Sequence, residues 1–359
     1  MKAAVLYEAK KPLVVEDVEI GEPKAGEVLV KVASAGVCHS DLHFMEGLWP
    51  FPLPAILGHE GAGVVERVGE GVTLVQPGDH VILTWVAPCG QCRNCVRGKP
   101  YLCASNPAAS MKDGTSRLKK GDQSIFHFLG VSSFAQYLVA HETAMVKVRQ
   151  DAPLEKVALI GCGVMTGVGA VINTAKVEMG SSVAVFGCGG VGLNVIQGAN
   201  LAGATTIIAV DKFDNKLDMA RKLGATHVVN ASNEDPVAKV REIAGTGADY
   251  TFEVIGIPEV VAQAFDAAAP GGTAVMVGMP PIGAPLTINS LGLFQGKTLQ
   301  GAYYGSARVR IDMPVLVDLY MAGKLKLDEL ITRSYPLEGI NDAFEAMKKG
   351  EVARSIIKF

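Results

Sequence analysis

The rhythm of apolar and polar positions changes twice along the chain, and each change predicts a different kind of structure. Up to about Gly161 the apolar runs are short and punctuated by Gly and Pro, so 28–35, 63–68 and 79–83 are predicted as strands. From about Met165 to Tyr304, strand-like runs (183–186, 207–210, 227–229, 250–254, 274–277) alternate with helix-like ones (191–202, around 215–223, near 259–268). That alternation predicts a parallel, doubly wound α/β sheet. Beyond Gly305 the pattern shifts to a longer helix (313–322) and a short one (340–349), read as returning to the first domain. The expected division is 1–163, completed by 305–359, and 164–304.

Composition fits two soluble domains. The chain has 359 residues, 49% hydrophobic and 19% charged, with a net charge of −3. No basic run or acidic tail recruits nucleic acid or an anionic membrane surface. Two uncharged stretches, 157–175 and 179–210, approach the ~20 apolar residues of a spanning helix. The second holds seven glycines and switches from strand-like to helix-like period midway. Buried parallel strands read the same way, so no membrane span is expected. The first residues show no apolar core of a secretory signal, so a cytoplasmic location is expected. The seven cysteines are an odd number, four of them within fifteen positions, which argues for thiolate ligands rather than a disulfide framework.

Those four are Cys89, Cys92, Cys95 and, after seven further residues, Cys103. Four sulfurs on one loop suit a structural zinc ion, which leaves no position open for chemistry. A ferredoxin-type iron–sulfur cluster would place the fourth Cys sooner and before Pro, whereas here Ala104 follows. A second candidate set is dispersed. Cys38 begins Cys-His-Ser-Asp-Leu-His, His59 lies in Gly-His-Glu-Gly, and Cys162 stands between two glycines. A catalytic zinc wants three protein ligands and one open position. Cys38, His59 and Cys162 can supply them, although a buried thiol and an ordinary His beside turn glycines would read alike.

Gly187, Gly189, Gly190, Val191 and Gly192 lie in a G-x-G-x-x-G run that follows a predicted strand and opens a predicted helix, the context of a dinucleotide site. Asp211 stands nineteen residues beyond Gly192 at the end of the next predicted strand. A carboxylate there accepts from ribose hydroxyls and repels a 2′-phosphate, favouring NAD over NADP. A helix-capping role for Asp211 is the plainer alternative.

These motifs, together with GHEGAGVV (58–65), DGTSRL (113–118), HFLG (127–130), IGCGV (160–164) and FEVIG (252–256), resemble the zinc-containing alcohol dehydrogenases of the medium-chain dehydrogenase/reductase superfamily along essentially the whole chain. The resemblance implies a β-rich GroES-like catalytic domain beside a Rossmann domain, and two zinc ions per subunit. Cys38, His59 and Cys162 then look like the catalytic zinc ligands, the Cys2His composition that alcohol dehydrogenases use. Glu60 resembles the carboxylate that approaches the metal during ligand exchange. Asp41 would fix the tautomer of His59. Ser40 would hold the substrate hydroxyl and pass its proton by way of a nicotinamide ribose hydroxyl to His43. His39 and Arg354 would face the pyrophosphate. Thr166, Val191, Ile255 and Val277 would line the nicotinamide half of the cleft, and Lys216 would join Asp211 at the adenosine ribose. The family also implies a homo-oligomer, dimer or tetramer, built partly on the nucleotide domains.

Trp49, Trp85, Phe128, Leu129 and Met279 suggest an apolar pocket for a primary alcohol, aromatic or allylic ones included, giving the aldehyde; core packing is their alternative. The glutathione-dependent formaldehyde branch resembles the chain closely around DGTSRL. It places an acidic residue and an arginine where Trp49 and Pro107 stand here. A catalytically silent NAD- and zinc-binding protein is a further alternative, against which the presence of Ser40, His43 and all three ligands speaks.

Overall fold

The structure, a computed structural model, describes residues 1–105 and 107–359. The chain divides into two compact units, Met1–Cys162 with Arg308–Phe359, and Gly163–Ala307. Residues 305–307, expected in the first, stay with the second. Gly305 lies so close to Met165 and Gly169 that its carbonyl oxygen would be 2.4 Å from a Cβ at Gly169.

The first unit holds two mixed sheets, and the larger one positions the chemistry. Its central strand, Glu27–Val37, is buried almost throughout, as a strand covered on both faces should be. It pairs antiparallel with Gly61–Val68, Tyr137–His141 and, at its far end, Arg354–Lys358. The chain's last strand therefore completes the first unit, with Ser355 opposite Val37. Antiparallel pairing has a direct consequence. The end of Glu27–Val37 meets the start of Gly61–Val68, with Ala35 opposite Gly61 and the Gly36 N–H donating to the Glu60 carbonyl at 2.9 Å. Cys38, His59, Glu60 and Arg354 thus emerge at one edge. Helix Ile340–Lys348 packs beside strands Ile331–Pro336 and Arg354–Lys358 of this sheet and buries Ile340, Ala343, Phe344 and Met347, a spacing that puts all four on one stripe.

The second unit is a six-stranded parallel sheet ordered 227–230, 206–211, 182–186, 248–253, 268–276, 298–301. Numbered along the chain this is 3-2-1-4-5-6, so the order reverses between Ser182–Phe186 and Ala248–Glu253. Ligands bind at such a switch point, beyond the carboxyl ends of the strands. Two elements escape the hydrophobic pattern. Helix Pro236–Ala244 is short and charged, and starts because the Asp235 carboxylate accepts from Val237 and Ala238 N–H groups at 2.9 and 3.1 Å. Edge strand Thr298–Gly301 has no alternating apolar face to reveal it. No single helix among the described residues is long and apolar enough to cross a membrane.

Candidate active site

Cys38 leaves the central strand and precedes helix His39–Met45. Asp41, in the first turn and without exposed surface, organises what surrounds it. Its Oδ2 accepts from the Cys38 N–H at 3.3 Å, and its Oδ1 accepts from the Gly58 N–H at 3.2 Å and from His59 Nδ1 at 2.9 Å. With Nδ1 carrying the proton toward Asp41, His59 presents the lone pair of Nε2, which lies 3.3 Å from Cys162 Sγ. Gly161 makes that approach possible, because a Cβ there would sit 2.9 Å from the Leu83 carbonyl.

The donor atoms of Cys38, His59, Glu60 and Cys162 all lie within 4.8 Å of one another, and all four residues are buried. Their electrostatics are those of a site built around a cation. A hydrogen bond from Cys162 holds the Cys38 thiol well below the ordinary range, and the same contact pushes Cys162 up. Burial works against a charge on His59, yet Asp41 and Cys38 together raise its pKa well above the usual value. Burial pushes Glu60 up to about 7 against the pull of Arg354. The Arg354 guanidinium donates to Glu60 Oε2, while Oε1 is buried with no partner among the described residues. Two thiols, an imidazole nitrogen and an orphan carboxylate oxygen around one point fit zinc, which takes N, S and O donors. With Glu60 held by Arg354, three ligands and an open position remain.

Cys89, Cys92, Cys95 and Cys103 form a second group within 4.8 Å, half-buried. Backbone N–H groups of Cys92 and Cys89 donate to Cys89 Sγ and Cys103 Sγ at 3.3 and 3.4 Å. The Ser105 hydroxyl donates to Cys89 Sγ at 3.2 Å and leads in lowering that thiol to about 5. Ser105 drew no notice in the sequence because a lone Ser after a cysteine carries no signal.

In the second unit, Asp211 ends strand Thr206–Asp211 and turns back onto the glycine loop. Its Oδ2 accepts from the Cys188 N–H at 2.8 Å, and its Oδ1 from Lys212 and Phe213 N–H groups at 2.8 and 3.1 Å. The helix that follows takes no side-chain cap, so capping does not explain Asp211. Gly192 is required: a Cβ there would lie 1.8 Å from the Gly187 carbonyl oxygen. Ile255 packs over Gly187, Met279 lies against Gly256, and Gly167, next to Thr166, lies against Val191. The Val277 N–H is tied to the Glu253 carbonyl. Lys216 places its ammonium 4.9 Å over the Phe213 ring.

Several expected positions read differently in three dimensions. Arg354, expected with His39 against a pyrophosphate, is buried on Glu60 because its strand pairs beside Val37, whereas His39 is exposed. Phe128, expected on the pocket wall, has no exposed surface and belongs to the core. It packs edge-on against Phe44, Phe51 and His59 at 4.8, 5.2 and 6.0 Å. Leu129 is half-buried against the same core. Trp49 and Trp85 keep part of their surface; Trp49 tilts onto Phe44 at 6.3 Å, and Trp85 meets His59 at 6.4 Å. Phe44 and Phe51 were not foreseen, since nothing in their spacing separates a pocket wall from core.

Comparison with known proteins bears on this arrangement. The sequence profile described as alcohol dehydrogenase GroES-like domain matches residues 24–150, and that described as zinc-binding dehydrogenase matches 190–321. The chain is 45% identical over 372 residues to S-(hydroxymethyl)glutathione dehydrogenase of Paracoccus denitrificans, covering 100% of this chain and 99% of that protein. Among solved structures it is similar to an alcohol dehydrogenase zinc-binding domain protein from Burkholderia ambifaria (41% identity, TM-score 0.96, 100% and 98% of the two chains). It is likewise similar to benzyl alcohol dehydrogenase from Acinetobacter calcoaceticus (38%, TM-score 0.95, 100% and 99%).

Proposed function

Since the chain belongs to the zinc-containing alcohol dehydrogenases of the medium-chain dehydrogenase/reductase superfamily, we propose that it moves a hydride between a primary, aromatic or allylic alcohol and NAD, yielding the aldehyde. The observation behind this is the meeting of Cys38, His59 and Cys162, with Asp41 fixing the imidazole, at the start of the helix that bears Ser40 and His43. A second zinc ion would belong to the four-cysteine loop.

Zinc, when bound at the first site, supplies Lewis acidity: it lowers the pKa of an alcohol oxygen and, in reverse, polarises a carbonyl. The chain's own residues supply the rest. Ser40 Oγ lies 3.8 Å from Cys38 Sγ and would accept the hydroxyl proton. His43, on the next turn of the same face, has a buried Nδ1 with no hydrogen-bond partner among the described residues and would pass that proton toward solvent. Trp49, Trp85 and Phe44 offer ring surface to the substrate's carbon side. The Asp211 carboxylate, held beside the glycine loop, supports NAD over NADP by repelling a 2′-phosphate.

The similarity to S-(hydroxymethyl)glutathione dehydrogenase favours a second reading, the glutathione adduct of formaldehyde as substrate. Trp49 and Pro107 in place of an acid and an arginine argue against it. NADH formation at 340 nm separates the two readings. Benzyl and cinnamyl alcohol should turn over with NAD and far less with NADP. Turnover confined to formaldehyde with glutathione would establish the second reading, and none with any alcohol or aldehyde would defeat both.

A homo-oligomer is supported by the outer edge of strand Thr298–Gly301 and by Leu291, Leu293 and Phe294, which are 57%, 50% and 88% exposed. Seven free cysteines support a reducing, cytoplasmic location. Light scattering and cell fractionation test these two points.

A further inference from the structure

Glu253 ends strand Ala248–Glu253 without exposed surface. One oxygen of its carboxyl group, Oε1, accepts from three consecutive backbone N–H groups, those of Ile255, Gly256 and Ile257, at 2.8, 2.7 and 3.4 Å. Its main-chain oxygen accepts from Val277 and Gly278 at 2.8 and 3.1 Å. A single residue therefore ties down the loops that follow two adjacent parallel strands, Ala248–Glu253 and Ala268–Met276. Both loops lie at the carboxyl ends of the strands beside the switch point. The first holds Ile255 over Gly187, where a Cβ would come within 2.6 Å of the Ile255 side chain.

The other oxygen, Oε2, is buried with no partner among the described residues, and burial raises the pKa of the group. Among the described residues no ion pair compensates a charge there. The geometry is that of an acceptor whose reach matters and whose charge does not.

We infer that the Glu253 side chain is a positioning residue for the nicotinamide half of the cofactor, setting Ile255 in the arrangement that half meets on binding, beside Val277, which the main chain of Glu253 holds. This rests on the cofactor reading proposed above. Without the Oε1 acceptor the three N–H groups would turn to water or to other carbonyls, and the competent arrangement would become one among several. Apparent affinity falls by the fraction of molecules that remain competent.

The test is NADH and ADP-ribose binding, by calorimetry, to the full-length zinc-loaded protein and two variants. Glu253→Asp keeps the charge but withdraws the acceptor by one methylene. Glu253→Gln keeps the reach and discards the charge. We expect Glu253→Asp to weaken NADH about tenfold while ADP-ribose, which lacks nicotinamide, changes less than about twofold. Glu253→Gln should hold both ligands within about twofold of the parent. Equal weakening of both ligands in Glu253→Asp would reduce Glu253 to a structural residue and overturn the inference. So would parental NADH affinity in Glu253→Asp, or a tenfold NADH loss in Glu253→Gln; the Gln variant decides alone if the Asp variant does not fold. A parent protein that binds neither ligand would defeat the cofactor reading itself, and this inference with it.

Discussion

Replacing Asp41 with Asn tests the wiring behind the metal site. Asp41 has no exposed surface and accepts from three donors with two oxygens. Asparagine has one carbonyl oxygen. If that oxygen keeps Gly58 and His59, the amide nitrogen faces the Cys38 N–H and leaves a buried donor unsatisfied, costing about 1–3 kcal/mol. The bond to His59 also loses its charge assistance, about 1 kcal/mol more. Part of this falls on folding and part on the metal, because His59 must present a fixed Nε2 lone pair. Second-sphere changes of this kind typically weaken metal binding about 10–100-fold, or about 1.4–2.7 kcal/mol. Burial already raises the Asp41 pKa, so the lost charge adds little to the folding cost, which comes chiefly from the unsatisfied Cys38 donor. Competition with a chromophoric chelator measures the zinc affinity, and thermal melting of metal-free protein measures the fold. Asp41→Asn should lose about 10–100-fold in zinc affinity at the dispersed site, with the metal-free protein melting a few degrees lower. Zinc affinity within about threefold of the parent would refute the reasoning, since even one charge-assisted bond is worth more.

Three further outcomes are expected. His127 is 1% exposed with Nε2 accepting from the Arg117 N–H, and burial followed by the Arg117 charge pushes its pKa from 6.5 down to about 4. A histidine depressed on folding stabilises the fold above its unfolded pKa. That stability is lost as pH falls from about 6.5 to about 4, by up to roughly 3 kcal/mol, so His127→Gln should flatten the acid limb of a melting-against-pH curve. An unchanged limb would show that other groups govern it. Gly192→Ala must displace the Gly187 carbonyl and should weaken NADH binding at least about tenfold in a calorimetric titration. Cys103→Ser should lower the zinc content by one ion per chain and the melting midpoint by about 5 °C, measured by elemental analysis and calorimetry.

Much of the architecture is legible in the sequence, and the reason differs between the two units. In the Rossmann unit the central strands are buried on both faces, so uncharged runs such as 182–186 and 206–210 stand out from their helices. The glycine motif marked the binding end because its chemistry is local: Gly192 and Gly187 are five positions apart. The metal ligands are the opposite case. Cys38 and His59 meet through an antiparallel pairing, and Cys162 arrives from more than a hundred residues away. No periodicity encodes that meeting, and the family resemblance supplied what spacing could not. The contact of Arg354 with Glu60 is equally hidden in the sequence, because it is set by the strand Arg354–Lys358 and not by local residues. Phe128 illustrates a different limit: an aromatic residue facing a pocket and one facing a core bury similar area and leave identical traces in sequence.

The central claim is that Cys38, His59 and Cys162 bind one zinc ion that four cysteines elsewhere do not share. Anomalous diffraction collected at the zinc edge from crystals of the protein addresses it directly. One peak is expected about 2.3 Å from the Cys38 and Cys162 sulfurs and about 2.0–2.1 Å from His59 Nε2, and a second amid Cys89, Cys92, Cys95 and Cys103. A single peak confined to the four-cysteine loop, with the three dispersed side chains apart, would contradict it.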